Sequence, residues 1–295
     1  MLDLLLGSHS KATSLGQVVQ LPKNLALNAP CACGAAVRSC DFWQRIVRAL
    51  GDQIGADLMA NPYALNLGYH RSTVSVDKSH QTAAYLVRRR LALALAFLQL
   101  RFGLNFPRPF AGPFDQSMDN LLLLYDLVRQ IVGTDMVVDS SKSYLVAAAL
   151  YRKRPDKVRV ILLRRDGRGV MYSQIKRQRS RKRGLNSWMK YYTRAIPLLE
   201  TVVSPEHLLY VKYEDLATHP EKELRRMCHF IDLDYQAAML DYTGSVHHNA
   251  NGNDVRFSTT STIRLDTLWE EELSVEDRLF FERSAGTLNR SLGYS

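Results

Sequence analysis

The feature that most constrains this chain's fold is a strand that runs directly into a turn and a helix. Val158-Arg159-Val160-Ile161-Leu162-Leu163 is a short apolar run of strand length, and Arg164-Arg165-Asp166-Gly167-Arg168-Gly169 follows as a polar, glycine-containing turn. Val170-Met171-Tyr172-Ser173 then reads as the opening of a helix. That order is one strand-to-helix unit of an α/β fold. Backbone N–H groups at a helix start and guanidinium forks both favour anions. A surface arginine cluster on an ordinary strand-to-helix turn accounts for the same residues, and this segment alone does not choose between the two.

The rest of the chain repeats the alternation. Asp119 or Asn120 is placed to cap a helix through Leu121 to Ile131, with Gly133 as its stop. Met136–Asp139 reads as a short buried strand and Tyr144–Tyr151 as a helix that ends before Arg154-Pro155. His207–Lys212 reads as another strand, and Pro220 opens a helix to Phe230. Ser274 with Asp277 three residues on forms a capping box for the last helix. This alternation predicts an α/β fold, a parallel sheet flanked by helices, with Met136–Asp139, Val158–Leu163 and His207–Val211 in one sheet. Residues 1–295 are read as a single domain. Within it, residues 61–116 lack clean alternation and read as a helical and loop insertion, with Phe106–Phe110 a loop.

Charge narrows the partners without fixing them. The net charge of +10 suits polyanionic ligands, nucleic acids and acidic membranes alike. The most apolar helix candidate, Leu91–Leu100, is flanked by Arg88-Arg89-Arg90 and Arg101. It is far shorter than the roughly 20 apolar residues a bilayer span requires, and so reads as a buried core helix. Met1–Leu6 lacks the basic region of a signal peptide. The expectation is a soluble cytoplasmic protein without a membrane span. Cys31, Cys33 and Cys40 lie in Cys-x-Cys-Gly-x5-Cys, and Cys228 lies in a helix. Zinc usually takes four ligands in wider pairs, and a reducing cytosol disfavours a disulfide. The segment reads as a tight turn before Phe42-Trp43, with no metal, and His247-His248 offer no metal spacing.

Several segments, taken in order, resemble sulfotransferases that use 3′-phosphoadenosine 5′-phosphosulfate (PAPS). Arg165 and Ser173 stand eight residues apart, as in the family's 3′-phosphate-binding segment, with Gly167 where the family usually has proline. Val137-Val138-Asp139-Ser140-Ser141-Lys142 resembles the strand end where a lysine faces the sulfuryl group. Tyr213-Glu214-Asp215-Leu216 with Pro220-Glu221, and Gly252-Asn253 with Arg256, then Trp269 and Leu292-Gly293-Tyr294, resemble later family segments. Relatives also carry a Cys-x-Cys-Gly…Cys-x-Phe-Trp segment. The resemblance implies a P-loop NTPase-like sulfotransferase fold. Met1–His9 is similar to the family's first helix and the turn after it. The first strand and the loop that grips the 5′-phosphosulfate are therefore expected to be missing, as in a truncated or degenerate form with impaired activity. An open, apolar sheet side is expected beside Met1–Leu6.

The same resemblance implies site residues. Arg165, Ser173 and Arg256 are expected at the 3′-phosphate and Tyr213 against the adenine, with PAPS as co-substrate. Lys142 is the expected cation for the sulfuryl group, since sulfuryl transfer needs in-line positioning and cationic charge stabilisation. Asp139 is the expected general base, or else an ion-pair partner that orients Lys142. Gln17 stands where some relatives place a glutamate and cannot take a proton; His9 is the remaining candidate. The acceptor is expected to be a hydroxyl or an amine. Two alternatives stay open: a non-catalytic relative that binds a 3′,5′-bisphosphonucleotide, and a basic nucleic-acid-binding protein. The basic run Lys176–Arg183 reads as a solvated helix end, an acceptor-steering patch or a nucleic-acid patch.

Overall fold

The computed structural model describes residues 1–68, 82–261 and 263–295. Part of the 61–116 insertion, residues 69–81, lies outside the described residues. The chain divides into two compact units, Met1–Arg154 with Asp234–Ser261, and Pro155–Leu233 with Thr262–Ser295.

The first unit holds α1 (Leu2–Gly7), β1 (Ala12–Gly16), α2 (Leu21–Ala26), α3 (Asp41–Ile54), α4 (Ala83–Phe102), α5 (Arg108–Val132), β2 (Met136–Asp139) and α6 (Tyr144–Lys153). β1 and β2 run parallel, with Ala12 opposite Met136 and Gly16 opposite Asp139. In α3, Trp43, Ile46, Val47 and Leu50 recur at helical spacing and are all buried. Each such side chain contributes about 1.5–3 kcal/mol when fully buried. Leu4, Leu5 and Leu6 of α1 are buried, with the helix packed on β1, β2 and the turn Ala237–Leu240. The apolar opening expected beside Met1–Leu6 is thus covered within this unit.

The second unit holds β3 (Val160–Arg164), α7 (Gly167–Lys176), α8 (Arg181–Val202), β4 (Leu208–Lys212), α9 (Tyr213–Thr218), α10 (Pro220–Phe230), α11 (Leu268–Glu272) and α12 (Val275–Ser291). β3 and β4 run parallel, from Val160 opposite Leu208 to Arg164 opposite Lys212. Met171, Leu185, Trp188, Tyr192 and Phe281 form the core between α7, α8 and α12. Ser274 caps α12 by accepting from the Asp277 N–H at 3.1 Å, as the capping box predicts.

Parallel strands flanked by helices are present as the sequence predicts, but the pairing differs. Among the described residues, the ladders do not join the three predicted strands into one hydrogen-bonded sheet. β2 pairs with β1, a strand the alternation did not reveal, and β3 pairs with β4, giving two two-stranded ladders. α5 starts at Arg108, so Phe106–Phe110 is partly helical, with Pro109 in the first turn where a missing N–H costs nothing. Asp119 lies inside this helix and is not its cap; it pairs with Lys153 at 2.7 Å. α4 buries Ala92, Ala96 and Leu100, while Leu91 is 44% exposed, so the Leu91–Leu100 run is only partly core. No helix among the described residues is long and apolar enough to cross a membrane.

Candidate functional site

In the second unit, β3 delivers Arg164 and Arg165 to the start of α7. Asp166 caps that helix by accepting from the Arg168 N–H at 2.8 Å. Gly167 is required by close packing, since a Cβ there would lie 2.8 Å from Trp188 and Phe281 ring carbons. The Gly167 N–H donates to Asn289 Oδ1 at 2.9 Å, and the Asp166 N–H to Glu214 Oε1 at 3.1 Å. The first backbone donors of α7 are therefore already bonded within the protein.

Side chains beside this turn converge. The Arg165 guanidinium lies 4.4 Å from the Tyr213 ring centroid and pairs with Asp266 at 2.9 Å. The Tyr213 hydroxyl donates to the Arg264 carbonyl and accepts from the Asp266 N–H, both at 3.2 Å. It thereby locks the segment that carries Asp266. A Cβ on Gly169 would sit 3.3 Å from Arg165 Nε, so that face of α7 looks onto the guanidinium. Ser173 stands four residues on and shares that face. Arg168 is committed elsewhere. It pairs with Asp166 at 2.6 Å and covers the Trp269 ring at 4.6 Å, and the hydrogen bond to Asp166 raises its pKa. In the basic run, Arg181 opens α8 and pairs with Glu276 at 2.7 Å and Asp277 at 2.5 Å. It is therefore not simply a solvated helix end.

In the first unit, Asp139 ends β2. Its Oδ2 accepts from the Tyr125 hydroxyl at 2.6 Å, and its Oδ1 from the Ser141 N–H at 2.7 Å and the Ser141 hydroxyl. Burial pushes the Asp139 carboxyl above its ordinary pKa despite these bonds. Lys142 follows with a left-handed backbone, φ 59°, and an exposed side chain. It makes no hydrogen bond or ion pair among the described residues, so the expected Asp139–Lys142 pair is not formed. Both ring nitrogens of His9 are engaged, Nε2 with the Asp234 carbonyl at 2.8 Å and Nδ1 with the Lys11 N–H at 3.0 Å. That leaves His9 no free nitrogen for base chemistry.

Arg256 belongs to the first unit, on the turn Asp254–Phe257. It donates to the carbonyls of Pro30 at 3.4 Å and Gly252 at 3.5 Å, and its Nε is buried without a partner. Burial lowers its pKa. It lines a cavity of about 230 Å³ with Leu4, Cys33, Tyr242 and His247.

The structure thus brings together Arg165 and Tyr213, with Ser173 on the facing side of α7. Sequence reasoning missed Asp266 and Tyr125, for which no local pattern exists. It also missed a cluster of Cys31, Cys33, Cys40 and His248, whose ligand atoms all lie within 4.8 Å of one another. Three of its members were legible in the cysteine spacing; the fourth is 208 residues from Cys40.

Residues 107–237 match the model of the sulfotransferase family. Two solved structures are similar to the chain. One is the sulfotransferase domain from the curacin biosynthetic pathway, at 16% identity over 100% of this chain and 93% of that one, TM-score 0.45. The other is the sulfotransferase domain from the Synechococcus PCC 7002 olefin synthase, at 19% identity over 74% of this chain and 79% of that one, TM-score 0.48. No curated protein matches the chain.

Proposed function

We propose that this chain, whose residues 107–237 match the model of the sulfotransferase family, moves a sulfuryl group from PAPS to a hydroxyl or amine acceptor. The observation that carries this reading is the Arg165 cradle, a guanidinium held on the Tyr213 ring and ion-paired to Asp266, beside the α7 face that bears Ser173. A guanidinium fork suits phosphate oxygens, and a dianionic phosphate outcompetes a single, 41% exposed carboxylate for it. Arg165 and Ser173 hold the 3′-phosphate, and Tyr213 orients Arg165 and packs against the adenine.

The remaining roles rest on the sequence resemblance and on the geometry inside the first unit. Lys142, unpaired among the described residues, is the cation that stabilises charge on the sulfuryl oxygens. Arg256 is a secondary phosphate ligand. The acceptor oxygen or nitrogen attacks sulfur, and the bond from sulfur to the bridging oxygen breaks. Adenosine 3′,5′-bisphosphate departs with that oxygen, and the acceptor's proton passes to Asp139. The raised Asp139 pKa moves this carboxyl toward the range in which a general base is effective.

A second reading is a relative that binds the bisphosphonucleotide without transfer. Both Asp139 oxygens already accept hydrogen bonds, which favours an anchoring role for this residue. The test joins calorimetry with a sulfate-transfer assay over hydroxyl and amine acceptors. Preference for adenosine 3′,5′-bisphosphate over adenosine 5′-monophosphate, with turnover, supports the enzyme. The same preference without turnover supports the binding protein. Equal affinity for both nucleotides removes the 3′-phosphate site.

A further inference from the structure

We propose that Cys31, Cys33, Cys40 and His248 form a structural zinc site in the first unit. Cys33 Sγ and Cys40 Sγ lie 3.6 Å apart, and Cys40 Sγ lies 3.3 Å from His248 Nδ1. Tetrahedral zinc, with bonds of about 2.3 Å to sulfur and 2.0–2.1 Å to nitrogen, places ligand atoms roughly 3.5–3.8 Å apart. The observed separations fall close to those edges. They are too long for a disulfide, which needs about 2.05 Å. All four cysteines of the chain carry free thiols.

The backbone around the cluster is built to present these groups. The chain doubles back between Pro30 and Ala36, which bridge antiparallel. The Cys31 N–H donates to the Ala35 carbonyl at 2.8 Å, and the Gly34 N–H to the Cys31 carbonyl at 3.0 Å. Gly34 turns this loop with φ 90°, a conformation that favours glycine. Two thiols, Cys31 and Cys33, therefore flank one tight knuckle. Cys40 stands at the N-cap of the 14-residue α3. The His248 ring stacks flat on Phe42, with centroids 4.5 Å apart and planes 2° from parallel. Two bonds outside the ligand set tie the segments together: Trp43 Nε1–H to the His248 carbonyl at 2.7 Å, and the Ala32 N–H to the Asn249 carbonyl at 3.2 Å.

Three thiolates and one imidazole select zinc over the hard cations magnesium and calcium. Four protein ligands leave no open position, so the role is structural. On binding, the three thiols give up their protons to solvent and zinc takes their place; no oxidant is involved. The ion would staple the Cys31–Cys40 knuckle to the segment ahead of Arg256, which already donates to the Pro30 carbonyl.

The test uses the full chain, expressed with zinc and purified without chelator. Elemental analysis is expected to give about one zinc per chain in the parent and in Cys228→Ser, because the buried Cys228 is not one of the four ligands. Cys33→Ser and Cys40→Ser should each lose most of it. His248→Cys, which keeps four ligands, should retain the metal, and cobalt exchanged into the parent should show the visible bands of a tetrahedral thiolate site. A folded parent free of zinc overturns the proposal. So does a Cys33–Cys40 disulfide found by mass spectrometry, or unchanged zinc in the folded serine variants.

Discussion

Arg165→Ala probes the cradle most directly. Among the described residues Arg165 makes one ion pair, with Asp266, and both partners reach solvent, at 24% and 41% side-chain exposure. Screening limits such a pair to about 0–1 kcal/mol, so the melting temperature should hardly move. The cation–π contact with Tyr213 adds about 0.5–1 kcal/mol at a site this open. Ligand binding should respond far more. A charge-assisted hydrogen bond is worth about 1.5–3 kcal/mol, which predicts about ten- to a hundredfold weaker binding of adenosine 3′,5′-bisphosphate. Titration calorimetry at one fixed salt concentration measures this. The same titration with adenosine 5′-monophosphate supplies the control, because a ligand without the 3′-phosphate should lose almost nothing. Arg165→Lys keeps the charge but not the planar fork and should fall between parent and alanine variant. Equal losses for both nucleotides, or unchanged bisphosphate affinity in a folded variant, would refute the assignment.

The Ser173 hydroxyl makes no hydrogen bond among the described residues. Ser173→Ala should therefore leave the melting temperature unchanged and weaken the bisphosphate by about two- to tenfold, the range of a neutral hydrogen bond; calorimetry that shows no weakening removes Ser173 from the site. Burial raises the Asp139 pKa, and a raised carboxyl stabilises the fold fully below its unfolded value, losing that contribution as pH rises through the folded one. Asp139→Asn cannot ionise, so thermal melts should show it gaining on the parent as pH rises above the ordinary carboxylate range, and a difference that ignores pH contradicts the burial argument. At Gly167 an added Cβ would meet Trp188 and Phe281 at 2.8 Å, so Gly167→Ala should cost about 1–3 kcal/mol in urea unfolding, whereas an unshifted midpoint would show that the core yields.

Much of this architecture was legible because short-range chemistry carried it. β2 and α10 fall at the residues read from the sequence, since an apolar run and an N1 proline are local signals. Ser274 and Asp277 behaved the same way. β1 was not legible, because Ala12–Gly16 carries only two large apolar or β-branched residues and its strand character comes from pairing with β2. α5 begins well before Asp119 because an acidic side chain in a helix interior can pair with Lys153 instead of capping. Arg165 and Tyr213, which meet in the structure, were singled out by motif. Asp266 was not, since an ion pair across 101 residues leaves no spacing signal. His248 was dismissed for the same reason, as a ligand set is defined in space and only its cysteines are close in sequence.

The surplus of positive charge could not by itself decide among nucleotide, nucleic acid and membrane, and the structure shows why. Many basic side chains are already matched within their own unit. Arg154 meets Asp126, Lys153 meets Asp115 and Asp119, Arg168 meets Asp166, Arg181 meets Glu276 and Asp277, and Arg226 meets Glu223. Such groups add to the net charge and, like Arg165 with Asp266, would have to exchange a carboxylate for any ligand. Lys182, Arg183 and Lys190 are different, lining an open depression with Ser180, Asn186 and Ser187. A polyanion would use that surface through charge alone, and its affinity would fall steeply with salt whatever its sequence. Arg165 offers a directed fork on an aromatic platform, a geometry suited to a single phosphate in a fixed place. Dependence on the 3′-phosphate at constant salt is therefore the property that separates a nucleotide site from a merely basic surface.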